Sequence, residues 1–321
     1  MGREGNSLEN TAQKLVEEGF KAYKNSEIEK AVSLLNEAIP LLKLINKTDM
    51  VQNLLTEIGH IHYQIGDYQA VLRDLQRKLE IVSEHGNHKE ELETLLGIGY
   101  MHLLLHNYLS VIKTFKRALS IARETGDHEG ERIIIQGMAN AYDNLGMHHS
   151  ALRCYQEMVR INGDLGRREE EGEGYLQAAK IYVKLKKYSA ALISFSEAFK
   201  IMKEIGNRKS LAVALQGMGN MYYEFQEYEN ALAFYEETLC LYQESGSIAQ
   251  QCEILKKIGE TYAKLKNYMN AIKYLEDALD IMRKTKNQSE ETIKSTIKKL
   301  QKESKIHIMN HLYLQHNSTK N

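Results

Sequence analysis

Proline is nearly absent from this chain: one occurs in 321 residues, with no tryptophan and only three cysteines. A β-rich chain of this length would need far more turn-breakers, so the composition points to helices. Cys154, Cys240 and Cys252 are an odd set at unrelated spacings with no CxxC pair. That argues against a disulfide framework or a zinc finger and fits a reducing, cytoplasmic compartment. An excess of one charge is missing too, since 42 Lys+Arg face 43 Asp+Glu for a net −1. No nucleic-acid partner is expected, because that grip depends on neutralising phosphates. Residues 1–15 hold no secretory apolar segment. The longest uncharged run, Thr94 to Ile112, contains His102, His106 and Asn107 and reads as two half-buried helices, not a membrane span. The chain opens Met1-Gly2, with Asn6 where a myristoylation signal wants Ser or Thr and Ser7 one place late. Gly2 is a candidate lipidation site, and peripheral association with the inner face of the plasma membrane is one expectation.

What is present is a repeat. Shifted by 40 residues, the chain falls into register seven times without an insertion. A small residue recurs in mid-helix at Gly19, Gly59, Gly99, Ala139, Ala179, Gly219 and Gly259. Twelve residues later comes a small or β-branched column: Ala31, Val71, Val111, Ala151, Ala191, Ala231 and Ala271. A side chain at Gly59 or Gly219 would push two crossing helices apart. An aromatic such as Tyr228 would fill the elbow between them, and Phe115, Tyr155, Phe195 and Tyr235 form a further aromatic column. Gly86, Gly126, Gly166, Gly206 and Gly246 close most units; glycine there can take a positive φ and end the second helix, with Asp or Asn capping the next. The acidic runs Glu90-Glu91 and Glu169-Glu170-Glu171 then sit at helix N-termini, where the macrodipole favours them, and read as structural.

The run Leu-x-x-Met-Gly-Asn-x-Tyr at Leu215 to Tyr222, with Tyr228, Ala231, Tyr235 and Leu239, resembles the tetratricopeptide repeat over about residues 11–284. The usual period is 34 residues with a terminal Pro. The longer period here resembles the subtype of Pins-type polarity scaffolds, whose linker is similar to Gly126 to Glu131. The Met1-Gly2 start, Glu18 to Tyr23 and Ile201 to Arg208 resemble the rapsyn family of receptor-clustering scaffolds. That resemblance implies a submembrane scaffold that clusters receptors, acetylcholine receptors among them, and ties them to the cytoskeleton. The family's Cys/His-rich RING has no counterpart, since no cysteine follows Cys252, and no ubiquitin-ligase role carries over.

Stacked helix pairs form a superhelix whose concave face is lined by the first helix of each pair. In tetratricopeptide proteins that face takes residues six and three before the small column and one, four and five after it. Those positions give Phe20, Tyr23, His60, Tyr63, Leu96, Tyr100, Leu103 and Leu104 in units 1 to 3. They give Gln136, Asn140, Asp143, Asn144, Lys180, Lys184, Gln216, Asn220, Tyr223, Lys256 and Lys264 in units 4 to 7. The first half reads as aromatic and apolar, the second as amide-rich and basic. Asn140, Asn220 and Gln216 suit an extended backbone, Lys180 and Lys184 suit carboxylates, and Leu96, Tyr100 and Leu103 suit an apolar anchor. The competing reading is that the lysines solvate a helix and the apolar side chains pack locally.

No chemistry-bearing motif stands outside the repeat. There is no GxGxxG, P-loop or GxSxG, so no enzyme and no cofactor is expected. His62 and His102 occupy a column held elsewhere by Tyr142, Tyr182, Tyr222 and Tyr262 and read as core or near-core. His307 and His311 share a helix face but lack a third ligand, so no metal site is expected. The cysteines read as small packing residues. Arg283 to Asn321 carries 9 Lys+Arg against 3 acids, a net +6 that leaves −7 for the rest. Ile293, Ile297 and Leu300 recur there at helical spacing, as in a basic capping helix, with a lipid-binding segment or short coiled coil as the alternative.

The expected fold is all-α: an N-terminal segment over 1–10, seven 40-residue units over 11–284 in a right-handed superhelix, a capping helix over 285–314 and a disordered tail over 315–321. The expected function is a non-catalytic scaffold that binds an acidic or extended protein segment in its groove. A Pins-type adaptor and a tetratricopeptide regulator of a short signalling peptide are the alternatives. Partner identity and oligomeric state are not legible.

Overall fold

The computed structural model describes residues 2–285 and 290–318. Among them are fifteen α-helices and no strand. In chain order these are α1 Gly2–Lys24, α2 Ile28–Leu44, α3 Thr48–Gln64, α4 Tyr68–His85, α5 His88–Leu104, α6 Tyr108–Thr125 and α7 His128–Asn144. They continue as α8 His148–Asp164, α9 Arg168–Lys184, α10 Tyr188–Glu204, α11 Arg208–Glu224, α12 Tyr228–Glu244, α13 Ile248–Lys264, α14 Tyr268–Thr285 and α15 Glu290–Ser318. The 40-residue period is thus a helix pair repeated seven times, with one helix after it. Two compact units divide the chain, Met1–Glu157 and Met158–Asn321.

The turns explain the regularity. Gly86, Gly126, Gly166, Gly206 and Gly246 all take positive φ, between 66° and 73°. They stop the second helix of a pair as their column requires. Asp127 then accepts from the Gly130 amide at 2.9 Å and Asn207 from the Ser210 amide at 3.0 Å, so α7 and α11 start on a side-chain cap, whereas α9 and α13 begin after Arg167 and Ser247 without one. The turns within pairs use the same backbone, with glycine at Gly66 and Gly146 but without it at Ser26, His106, Lys186, Gln226 and Lys266, whose φ lies between 56° and 64°.

Packing follows the columns. A Cβ on Gly99 would come within 1.9 Å of the Phe115 ring, and one on Gly219 within 2.7 Å of Tyr235. At these positions the second helix lays an aromatic ring flat against bare backbone. Gly59 departs from this rule, because nothing lies within 4 Å of its would-be Cβ, whereas Leu35 and Leu275, in the column that holds Leu75, come within 2.7 and 2.8 Å of a Cβ on Gly19 and Gly259. Tyr228 packs edge-on to Tyr223 at 5.4 Å between ring centres, filling the elbow.

Both ends are more helical than the sequence suggested. α1 starts at Gly2, inside the expected N-terminal segment, and Glu9 reaches Lys47 at 3.0 Å. α15 buries Ile293, Ile297 and Leu300 against Leu275, Leu279 and Met282, as a capping helix would. It runs through residues 315–318 because no Gly or Pro interrupts 290–318. Residues 319–321 and the side chains of His307 and His311 lie outside the described residues. Cys240 is exposed, not a packing residue, while Cys154 and Cys252 are half-buried. The uncharged run from Thr94 bends at the Leu105–Asn107 turn, and no helix among the described residues is long and apolar enough to cross a membrane.

Candidate functional site

Within Met1–Glu157 the candidate residues lie on α3, α5 and α7. Tyr63 and Tyr100 are 45% and 50% exposed, large areas for tyrosine on helices otherwise well packed. Tyr63 leans on Tyr68 of the next helix at 5.7 Å. Leu96 and Leu103 are half-buried and pack onto the cluster of Leu92, Leu95, Val111 and Phe115. They are therefore partly core, and Tyr100 is the better placed anchor. On α7, the Asn144 amide donates to the Asn140 carbonyl and to its Oδ1, both at 2.9 Å. Gln136 accepts from Arg132 at 3.4 Å. The structure thus brings Asn140 and Asn144 together, each satisfying part of the other.

Within Met158–Asn321 the polar residues are held by neighbouring helices. Tyr242 donates to Gln216 Oε1 at 2.9 Å, and Gln216 Nε2 donates to Glu253 Oε1 at 3.0 Å. With both ends of its amide engaged, Gln216 is a brace. Tyr235 donates its phenol hydrogen to Asn220 Oδ1 at 2.9 Å. Burial, followed by the nearby phenol and carboxylates, pushes the Tyr235 phenol well above its ordinary range, so it stays a donor. Burial and Glu260 push Tyr223 up as well. Lys180 Nζ lies 3.4 Å from the Gln177 amide oxygen, and Lys256 Nζ lies 3.8 Å from Glu260.

Asn220 and Tyr223 open into a cavity of about 310 Å³ that Val183, Tyr188, Glu224, Tyr235, Lys257 and Glu260 also line. None of these six was among the residues selected from sequence, although Val183 follows Ala179 by four. Glu260 follows Gly259 by one and Glu224 follows Gly219 by five, both positions that the groove rule selects. Tyr235 belongs to an aromatic column that looked purely structural. Acids stand among these positions as well: Glu253 accepts from Gln216, and Glu260 lies 3.8 Å from Lys256. With Oδ1 committed to Tyr235, Asn220 keeps its Nδ2 hydrogens for another acceptor beside the cavity it lines. An amide donor beside a phenol, two carboxylates and an ammonium is equipped to hold a polar chain, such as a peptide backbone.

The acidic runs are structural, as expected. Glu91 pairs with Arg117, Glu171 with Arg168 at 2.6 Å, and Glu169 accepts from Asn207 at 2.8 Å.

Comparisons with known proteins place this geometry. A family model described as soluble NSF attachment protein matches residues 134–299, more than half of the chain, and one described as tetratricopeptide repeat matches residues 90–162. BtubC (BKLC) from P. vanneervenii is similar in structure, with a TM-score of 0.58 and 18% identity over 70% of this chain and 92% of that one. Aspartyl phosphate phosphatase F from Bacillus subtilis has a TM-score of 0.59 and 16% identity over 95% and 84%. A signal transduction ATPase with numerous domains and a tetratricopeptide repeat sensor, from Pyrococcus horikoshii, has a TM-score of 0.64 and 19% identity over 93% of this chain and 45% of that one. At these identities the likeness is one of fold. No curated protein matches the chain in sequence.

Proposed function

The chain belongs to the soluble NSF attachment protein family of tetratricopeptide-repeat proteins, and from that premise we propose that it is a non-catalytic scaffold that binds an extended protein segment along the first helices of its pairs. One observation carries the reading: Tyr235 occupies the Asn220 amide oxygen beside an open cavity that both side chains line, which leaves the amide's donor for a ligand. A pre-set amide beside open space holds a main-chain carbonyl without losing much freedom on binding. Tyr63 and Tyr100 supply exposed aromatic surface of the kind that anchors partners.

The test is to select peptides that bind the full chain and measure them against Asn220→Ala and against the double variant Lys180→Glu with Lys184→Glu. Affinity should fall about tenfold with Asn220→Ala, on the order of a charge-neutral hydrogen bond lost, in a variant shown by circular dichroism to remain folded at the assay temperature. Acidic peptides should weaken further in the lysine variant. Peptides that bind both variants like wild type would remove the reading.

The family match supports a second reading, an attachment role of the kind the family description names, with NSF as the partner. Binding of purified NSF to the chain, lost in Asn220→Ala, is its expected result. A finer, rapsyn-like reading would place the chain at a membrane through Gly2. It requires recruitment that Gly2→Ala abolishes.

A further inference from the structure

The 40-residue repeat puts equivalent side chains of successive helix pairs in matching columns. In the second pair, His62 Nδ1 lies 2.7 Å from Asp74 Oδ2, and Arg77 stands 3.5 Å from Asp74 Oδ1 and donates to Asn36 at 2.8 Å. His62 and Asp74 are nearly buried, with side chains 14% and 6% exposed. A carboxylate sits at the centre of this network, holding an imidazole on one side and a guanidinium on the other.

One repeat later the same four columns read His102, Thr114, Arg117 and Gln76. The imidazole and the guanidinium are kept, and the carboxylate has become a threonine. Two structural facts accompany the exchange. His102 Nδ1 is buried and has no hydrogen-bond partner, which is costly for a polar atom unless something pairs with it. These side chains also line a cavity of about 360 Å³, with Ser110 and Lys113 on the same face of α6. Arg117 leans away, donating to Ser83 at 2.9 Å and pairing with Glu91, so Lys113 is the cation left to the cavity. Burial pushes the His102 imidazole down, and a neutral ring can still offer an N–H.

We infer that this cavity is an oxyanion site, in which a carboxylate or phosphoryl group of a small ligand takes the place that the Asp74 side chain holds one repeat earlier. The donors suit that chemistry: the Lys113 ammonium, the Ser110 and Thr114 hydroxyls and the His102 imidazole. Leu79, Leu95 and Ile98 form the apolar wall of the cavity.

The experiment uses the full chain labelled with ¹⁵N-histidine, the His102 signals being identified by His102→Gln. Inorganic phosphate and acetate are titrated separately at an ionic strength held constant with chloride. A saturable shift of the His102 nitrogens is expected. Saturation by phosphate alone assigns a phosphoryl ligand, and saturation by acetate a carboxylate. Thr114→Asp restores the carboxylate of the preceding repeat, so it should abolish the shift and raise the melting temperature. Lys113→Gln, at an exposed side chain that leaves folding intact, should weaken the anion at least fivefold. The inference is overturned if neither anion gives a saturable shift, if folded Thr114→Asp still responds, or if Lys113→Gln binds like wild type.

Discussion

The first helices of the pairs before Glu157 and those after it hold their surface side chains by different means. In the earlier unit, Tyr63 and Tyr100 stand out as large exposed rings, and Asn140 and Asn144 bond only to one another on a single helix. In the later unit, Gln216 and Asn220 are each fixed by a tyrosine from the following helix. The first arrangement offers area and adaptability. The second offers a donor whose direction is set before a ligand arrives. Contact area of the first kind supplies affinity through a few anchors, and pre-set polar groups of the second kind supply orientation at little entropic cost.

That contrast can be broken at the glycine column. Alanine at Gly99 or Gly219 should cost about 1–3 kcal/mol of stability by overpacking, with Gly99→Ala the larger because its Cβ falls 1.9 Å from Phe115. Denaturant unfolding measures both. Only Gly219→Ala should also weaken the selected peptides, because it presses on Tyr235, the ring that orients Asn220. Equal loss of binding in the two variants would mean that the later unit is no more pre-organised than the earlier. A smaller effect, of opposite sign, is expected at Gly59, whose would-be Cβ meets nothing. Gly59→Ala should raise stability by about 0.4–1 kcal/mol, chiefly by restricting the unfolded chain, seen as a higher unfolding midpoint.

Much of the fold was legible because the repeat states it seven times. The closing glycines, the caps at Asp127 and Asn207, and the Tyr228 elbow are local devices whose physics depends on few residues, and all were placed correctly. Gly59 misled because its column is read from its neighbours: Leu35 and Leu275 reach Gly19 and Gly259, whereas Leu75 leaves Gly59 clear and lies 3.2 Å from the would-be Cβ of Gly97 instead. The left-handed turns at His106, Lys186 and Gln226 carried no sequence signal, since ordinary residues occupy them. On the candidate site, Asn220 and Tyr223 were found by spacing, and they share a cavity. The acids were not found, because Glu253 and Glu260 were not read among the groove positions while Lys256 was. The role of Tyr235 could not be read at all. Whether a core aromatic also points a hydroxyl at a groove amide depends on its distance to a residue 15 positions away.

The relation between Tyr235 and Asn220 is best measured directly, by a double-mutant cycle on peptide affinity with Tyr235→Phe, Asn220→Ala and the pair. If Tyr235 acts by orienting the amide, Tyr235→Phe should weaken binding several-fold in the wild-type background and have no further effect once Asn220 is alanine. Two independent, additive losses would contradict a pre-set amide donor as the centre of the binding surface.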